Sequence, residues 1–330
     1  MAVNDNRKAG LKKIKLLVYN SKLNLNSFRK KIDDTFYTPI LPNHVERSER
    51  KYGGVNCDVL SPELYSSKRV MFYIHGGCFV GGSRLAYRSF CSMLANKCFC
   101  RVVVPEYRLA PVNAFPAAIE DVQAVFRSLF TEEQIDRSLD SELPEFIIAA
   151  DGAGASIATA LVLNLKEKFR ACIAKVVLFS PWLNLSPESP LFTAKKKQAD
   201  EVLSAEVLKQ CAELYTYESN RQNPLVSPLT AASELLAGFP SVYMQCGGKE
   251  LLLGDAQEFD ELLKKNGVQS KLCVWDNMPH LFQLADEYFE DAHKALDALS
   301  AEISGIDAKN SPQQRFENKP RLENSMRAEA

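Results

Sequence analysis

Short apolar runs recur along the chain from about residue 55, and each of them stops at a turn. The clearest runs are Val70–Ile74, Arg101–Val104, Phe146–Ala150, Val176–Phe179, Ser241–Gln245 and Lys271–Trp275. Strands that are apolar on both faces are typical of a parallel sheet with helices on both sides. Helical patterns at Phe115–Phe130 and Asp255–Asn266 lie between the runs and supply the crossover connections. The alternation predicts an α/β fold with a mostly parallel central sheet flanked by helices.

The first 50 residues depart from this pattern and are predicted to be helical. Leu11, Ile14, Leu17 and Val18 fall on one face of a helix, between lysines. Such a face can pack against the rest of the protein or lie on a membrane surface. Packing is the favoured interpretation.

Residues 185–237 also interrupt the alternation, with a helix at about Ser204–Tyr217 and an irregular stretch at residues 223–228. Ligands of open α/β sheets bind beyond the carboxyl ends of the strands. We therefore expect residues 1–50 and 185–237 to form a helical lid over that edge of a domain that spans residues 51–305. Residues 306–330 are polar and are predicted to form a disordered tail.

The composition of the chain argues against nucleic acid, a membrane or a metal ion as its partner. Lys and Arg together number 40 against 41 for Asp and Glu, so no overall positive field attracts nucleic acid. No apolar stretch approaches the ~18 residues of a membrane span, and the first residues lack the apolar core of a secretory signal. The nine cysteines have irregular spacings without a metal-ligand pattern. These features predict a cytoplasmic protein with reduced thiols, no metal and no cofactor, and they leave its oligomeric state open.

The turn after Val70–Ile74 consists of a histidine and two glycines, His75-Gly76-Gly77. Consecutive glycines let the backbone approach a ligand closely and direct amide N–H groups at one point. Acyl transfer needs such donors where the oxyanion develops, and one donor lowers the barrier by ~3–4 kcal/mol. Taken alone, the turn is better explained as an ordinary glycine turn. The other motifs of the chain reverse that preference.

Further stretches accompany this turn in a fixed order. They are Pro105–Pro111, Phe115–Asp121, Ser180–Leu185, Val226–Leu229 and Met278–Phe282. Together with the His-Gly-Gly turn they resemble the hormone-sensitive-lipase-like branch of the α/β-hydrolases, which cleaves carboxylic esters. The resemblance covers about residues 50 to 300. It implies the α/β-hydrolase fold and a small ester or acyl compound as the ligand.

The family uses a catalytic triad of Ser, Asp or Glu, and His, in that chain order. By this resemblance the histidine is His280, in the turn after the last predicted strand, and the acid is Glu250. Asp255 is an alternative acid, although it is favoured as a cap of the following helix. The resemblance also implies an oxyanion hole formed by the backbone amides of Gly76, Gly77 and Ala153.

Two side chains of the glycine turn need separate interpretation. His75 is expected to be structural, because the turn acts through its amides. Cys78 stands where the family usually has a third glycine. A reactive thiol at this position is a disfavoured alternative, since nothing in the sequence indicates a lowered pKa for Cys78.

The nucleophile motif of the family, Gly-Asp-Ser-Ala-Gly-Gly, aligns with Ala150–Ala155 and places Gly152 at the serine. Glycine has no side chain that can attack a carbonyl, so the covalent route is closed. It does suit the positive φ expected at the centre of such a turn. Ser156, one helical turn further on, is a disfavoured substitute, and a water activated by His280 is more reasonable.

Two functions therefore remain open. The favoured hypothesis is a catalytically impaired ester-hydrolase scaffold that binds a small acyl or apolar ligand. The alternative is a low-rate ester hydrolase that uses water activated by His280. A purely structural, partner-binding role does not explain why the glycine turn, Glu250 and His280 keep their residue types.

Overall fold

The computed structural model describes residues 2–19, 22–37, 41, 44–66, 69–136, 145–193 and 200–309. Its strands are β1 (Val45–Tyr52), β2 (Val55–Pro62), β3 (Arg69–Ile74), β4 (Arg101–Pro105), β5 (Glu145–Asp151), β6 (Ile173–Phe179), β7 (Val242–Gly247) and β8 (Ser270–Trp275). Its helices are α1 (Ala2–Ile14), α2 (Leu25–Phe36), α3 (Arg84–Cys98), α4 (Ala117–Asp136), α5 (Gly152–Asn164), α6 (Glu167–Arg170), α7 (Pro190–Thr193), α8 (Ala205–Tyr215), α9 (Ser233–Leu236), α10 (Leu253–Lys265) and α11 (Glu290–Lys309). Short 3₁₀ turns occupy Lys15–Leu17, Glu218–Asn220, Pro228–Thr230 and Phe282–Ala285.

The strands form one sheet in the order β1-β2-β4-β3-β5-β6-β7-β8. All pairs from β4 to β8 are parallel, whereas β2 runs antiparallel to both of its neighbours. The carboxyl ends of β3, β5, β6, β7 and β8 consequently lie along one edge of the sheet. The prediction of a mostly parallel sheet flanked by helices is confirmed.

The centre of the sheet is covered by α5, whose residues 152–163 are all buried. A helix that is apolar on every side belongs in the interior of a large domain. The neighbouring strand β6 begins at Ile173, earlier than the apolar run at Val176 predicts. The reason is Lys175, which interrupts the run but is buried in β6 with its amine 2.6 Å from Glu302 of α11.

The first strand was not expected, because residues 45–50 were assigned to the helical N-terminal segment. They form most of β1, which pairs with β2 along its whole length, from Val45 opposite Pro62 to Tyr52 opposite Val55. Six of its side chains are exposed, and most of those are charged. An edge strand in solvent needs no apolar alternation, so the hydrophobic pattern could not distinguish it.

The N-terminal helices pack against the domain, as the favoured interpretation of their apolar face requires. Ile14, Leu17 and Val18 are buried, and so are Phe28 and Ile32 of α2. None of the helices within the described ranges is long and apolar enough to cross a membrane.

The last helix, α11, continues to Lys309, beyond the predicted domain boundary at residue 305. Residues 310–330, the rest of the predicted tail, lie outside the described residues.

Candidate active site

Five turns meet at the carboxyl edge of the sheet, where the sequence predicts the site. They follow β3, β5, β6, β7 and β8, and they carry Gly76, Gly152, Ser180, Glu250 and His280 respectively. Parallel strands bring these turns together although the residues are far apart in the chain. The predicted residues of the site are therefore neighbours in the fold.

His280 and Glu250 form a buried pair. Nδ1 of His280 lies 3.3 Å from Oε2 of Glu250, and both side chains are almost inaccessible to solvent. The same Oε2 accepts a hydrogen bond of 2.7 Å from the Ser180 hydroxyl. Burial opposes the protonated imidazole, but the hydrogen bond and charge of Glu250 outweigh it, so the pKa of His280 is raised above 6.5. A carboxylate in this position stabilises the imidazolium and orients the ring.

Two glycines allow the acid and histidine turns to approach this closely. A Cβ at Gly247 would lie 2.3 Å from the carbonyl oxygen of Met278, and one at Gly248 would lie 2.5 Å from that of Asp276. The backbones are also bonded directly, because Lys249 N donates to Met278 O. A side chain at either glycine would push the histidine turn away from Glu250.

Asp255, the alternative acid, faces a different part of the structure. Its Oδ2 accepts hydrogen bonds from the backbone N–H groups of Leu183 and Asn184, at 2.8 and 2.9 Å. It lies inside the first turn of α10 rather than at its cap, because the helix begins at Leu253. Burial raises the pKa of Asp255 to about 7. This carboxylate orders the chain after β6 and does not contact His280.

The Glu250 and His280 pair leads to a titration prediction. Replacing Glu250→Gln removes the charge that favours the imidazolium, so the pKa of His280, read from its imidazole protons by NMR, should fall. In the native chain the raised pKa contributes stability that is fully present below pH 6.5 and is lost as the pH rises through the folded pKa. That slope of stability with pH should flatten in Glu250→Gln. Asp255→Asn is the matched control, and it should leave the titration of His280 unchanged.

One amide of the glycine turn after β3 has a partner that the prediction did not include. The N–H of Gly76, expected to serve the oxyanion hole, instead donates to Oδ1 of Asp151 at 2.9 Å. Asp151 also accepts bonds from the Tyr73 and Tyr87 hydroxyls, and these bonds only partly offset burial, which raises its pKa to about 6. The side chain of Asp151 therefore stabilises the glycine turn through the hydrogen bond from the Gly76 amide.

The candidate oxyanion donors are now the backbone amides of Gly77, Cys78 and Ala153. Gly77 has a φ of +115°, and Ala153 lies in the first turn of α5, where helical N–H groups have no partner within the helix. Among the described residues, no acceptor is bonded to the N–H of Gly77 or Cys78. Sequence reasoning named Gly77 and Ala153 but not the amide of Cys78.

His75 is enclosed by aromatic rings, in keeping with a structural role. Its ring stacks against Tyr107 and Tyr87, with centroids 4.4 and 5.3 Å away. Nδ1 lies 2.8 Å from the carbonyl oxygen of Gly76, and burial lowers the pKa of His75 to about 4. The neutral ring packs between the two tyrosines beside the turn.

Gly152 stands at the sharp turn between β5 and α5. Its φ is +48°, a left-handed conformation that favours glycine. A Cβ built at this position would meet only Nε2 of His280, at 3.9 Å, apart from its chain neighbours and its own helix. Ser156, the disfavoured substitute, is buried, and its hydroxyl donates to the carbonyl oxygen of Trp182. Among the described residues, no hydroxyl or thiol from another side chain lies within 4 Å of a Cβ at this position.

Known proteins resemble this chain in both sequence and structure. Residues 71–284 match a family model described as the alpha/beta hydrolase fold. The chain belongs to the α/β-hydrolases. It is 30% identical to an esterase of Acinetobacter venetianus over 243 residues, which cover 73% of this chain and 77% of the relative. It is 29% identical to an acetyl-hydrolase of Streptomyces hygroscopicus over 235 residues, covering 71% and 74%.

Solved structures agree with this placement of the α/β-hydrolase. An esterase of the bacterial hormone-sensitive lipase family superposes with a TM-score of 0.79 at 27% identity, covering 92% of this chain and 98% of that one. A hormone-sensitive lipase from a metagenome library gives a TM-score of 0.75 at 28% identity, with 91% and 98% covered. The protein thus has the scaffold of the hormone-sensitive-lipase-like esterases.

Several contributors to the site of this α/β-hydrolase were missed from the sequence. Ser180 joins the acid to the histidine turn, because its hydroxyl also accepts the N–H of Leu281 at 3.1 Å. Asp200 accepts the N–H of Leu251, beside the acid, at 2.7 Å. The available signal for Ser180 was its place in a Ser-Pro turn directly after an apolar strand. Asp200 carried no comparable signal.

One cavity of the α/β-hydrolase is lined by residues outside this site. A cavity of about 530 Å³ is lined by residues that include Leu17, Phe36, Phe90, Met93 and Leu284, and neither Gly152 nor His280 belongs to it. Its volume therefore says nothing about the size of a ligand at the carboxyl edge. In the part of the chain that the structure describes, no group of three or more His, Cys, Asp or Glu side chains could hold a metal ion.

Proposed function

We propose that this α/β-hydrolase binds a small ester or acyl compound at the carboxyl edge of its sheet and does not cleave it through an acyl-enzyme. In this proposal Gly152 occupies the position of the nucleophilic serine, and Glu250 and His280 are the retained acid and base. The amides of Gly77, Cys78 and Ala153 receive the carbonyl oxygen of the ligand.

The observation that carries the proposal is the space at Gly152. A side chain at this position would begin 3.9 Å from Nε2 of His280 and meet no other neighbour. This is the arrangement that an attacking hydroxyl requires, without the hydroxyl. A carbonyl compound can use the donors of the turn while position 152 has no side-chain atom to attack it.

Helices α1, α2 and α8 are proposed to form the lid over this site. α2 contacts the segment that follows the glycine turn through Arg29, which donates to Val80 O at 2.8 Å, and the same side chain donates to Ala110 O, after β4, at 2.7 Å. α8 contacts the same segment through Tyr215, whose ring stacks on Phe79 at a centroid distance of 4.0 Å. A site enclosed by such helices favours an apolar acyl group over a charged one.

The alternative function is slow hydrolysis by water, and one observation favours it. Nε2 of His280 faces the space at Gly152, and Glu250 stabilises the protonated imidazole that would form when water loses a proton. Hydrolases that lack a triad member retain ~10³–10⁴-fold acceleration over water from the oxyanion hole and substrate binding. This mechanism would give low turnover that depends on His280.

Hydrolysis of p-nitrophenyl butyrate by the native chain and by His280→Ala separates the two functions. The binding proposal predicts the same near-background rate for both proteins. Clear turnover by the native chain that disappears in His280→Ala would instead support the water mechanism.

Binding is tested with N-(4-nitrophenyl)butanamide, a poorly cleaved analogue of the ester, by the shift in melting temperature. Saturation at about 100 times Kd stabilises a protein by about 2.7 kcal/mol, which gives a clear shift. Gly152→Asn is the matched control, because Asn tolerates a positive φ and its side chain would fill the space beside His280. No shift in the native chain would refute binding, and an equal shift in Gly152→Asn would place the ligand elsewhere.

A further inference from the structure

Two cysteines link the glycine turn to helix α8. Cys78 follows Gly77 in the turn, and Cys211 lies in α8, 133 residues further along the chain. The two thiol groups lie close enough for each to shift the pKa of the other. Cys211 is fully buried, and Cys78 is 7% exposed. Both cysteines are thiols in this structure.

The packing around the pair keeps the two elements in register. Phe79, the residue after Cys78, stacks on Tyr215, which lies one helical turn after Cys211 on the same face of α8. The two rings are nearly parallel, with an interplanar angle of 10°. The end of α8 is also held by its backbone, because Tyr215 O accepts the N–H of Phe115 at 2.9 Å. Cys78 therefore lies beside Cys211, and Phe79 lies beside Tyr215, which is one helical turn further along α8.

The electrostatic surroundings of Cys78 differ from those of other buried cysteines. The interaction with the Cys211 thiol lowers the pKa of Cys78, and the nearby His280 acts in the same direction against the effect of burial. Burial raises the pKa of Cys91 and Cys98, which have no such partner. The thiolate is the form that reacts with oxidants, so Cys78 rather than Cys211 is the member of the pair that an oxidant should attack first.

We propose that Cys78 and Cys211 are a site of reversible oxidation, at which a peroxide forms a disulfide between the glycine turn and α8. The Cys78 thiolate attacks one peroxide oxygen, the O–O bond breaks, and a sulfenic acid and one molecule of water or alcohol result. The Cys211 thiol then attacks the sulfenic sulfur and releases a second water as the S–S bond forms. Two thiols are oxidised and one peroxide is reduced.

The disulfide would hold α8 against the turn that carries the proposed oxyanion donors. In the thiol form, α8 is held in this place without a covalent link to the turn, by side-chain packing that includes the stacking of Tyr215 on Phe79 and by the hydrogen bond from Phe115 N–H to Tyr215 O. The oxidised protein would therefore open its site less often to a ligand. This consequence does not depend on whether the site binds or hydrolyses an ester.

The native full-length chain, treated with hydrogen peroxide, alkylated and digested, provides the test. Mass spectrometry should find a peptide pair joined through Cys78 and Cys211 that disappears on reduction with dithiothreitol. Hydrogen exchange of the amides of α8 should be about 10-fold slower in the oxidised chain than in the reduced one. The melting temperature should rise by about 5 °C, because the disulfide closes a long loop.

Two variants control the assignment. Cys211→Ser should abolish the joined peptides and leave Cys78 as a sulfenic or sulfinic acid. Cys172→Ser, which changes a cysteine with 6% exposure that is remote from the pair, should retain them. The proposal is overturned when the oxidised native chain has no joined peptide, or when Cys78 is joined to another cysteine. The native peptide map decides this even when Cys211→Ser does not fold.

Discussion

Gly152→Ser should convert this protein into an esterase, with at least about a 10³-fold gain in the hydrolysis of p-nitrophenyl butyrate over the native chain. Removing the serine from an intact triad costs about 10⁶-fold in kcat elsewhere, so restoring it beside an intact acid and base should recover a large part. The hydroxyl would extend from a Cβ that lies 3.9 Å from Nε2 of His280, within reach of a hydrogen bond. The substitution should cost about 1 kcal/mol of stability, because φ is +48° at this position.

The rate of the Gly152→Ser variant should also depend on pH in a defined direction. His280 must be neutral to accept the serine proton, and its pKa is raised above 6.5. Activity should therefore increase as the pH rises through a midpoint above 6.5. An additional Glu250→Gln substitution should move that midpoint to lower pH.

Gly152→Ala is the matched control for this experiment, since it adds the Cβ without the hydroxyl and should remain at the background rate. The double variant Gly152→Ser/His280→Ala should lose the gain. A folded Gly152→Ser protein without increased activity would contradict the proposed role of position 152.

Gly154→Ala should be the most destabilising single change in the same turn, with a loss of at least about 3 kcal/mol in the free energy of unfolding. A Cβ at Gly154 would lie 2.3 Å from Ile74 O and 2.4 Å from His75 O. Both atoms belong to the backbone at the end of β3, which cannot move aside without displacing the glycine turn. Urea unfolding followed by circular dichroism measures the loss.

The contrast with Gly152→Ala makes this prediction specific. That variant adds the same methyl group two residues earlier, in open space, and should lose only the ~1 kcal/mol of its positive φ. Equal losses of stability for the two variants would contradict the prediction. They would show that the distance from an added Cβ to its neighbours does not determine stability in this turn. The comparison also explains why a glycine at 154 is a structural necessity while the one at 152 is not.

The fold was predictable because its strands are apolar on both faces and end at turns rich in glycine. The six runs identified from the sequence all correspond to strands of the parallel part of the sheet. The antiparallel strand β1 was missed, because a solvent-exposed edge strand has no hydrophobic signature. The start of β6 was also missed, because the charged Lys175 interrupts the apolar run. Lys175 is buried only because it pairs with Glu302, which is 127 residues away and could not be recognised as its partner from the local pattern.

By itself, the sequence determined the α/β architecture, the turns that carry the candidate site and the identity of the residues in them. Local patterns record such features, because burial and turn geometry select residue types within a few positions. Only the tertiary structure decided that Asp255 serves the chain after β6, that the Gly76 amide belongs to Asp151, and that Cys78 meets Cys211. These are contacts between residues far apart in the chain, and parallel strands joined by long crossovers bring them together without leaving a trace in any one segment.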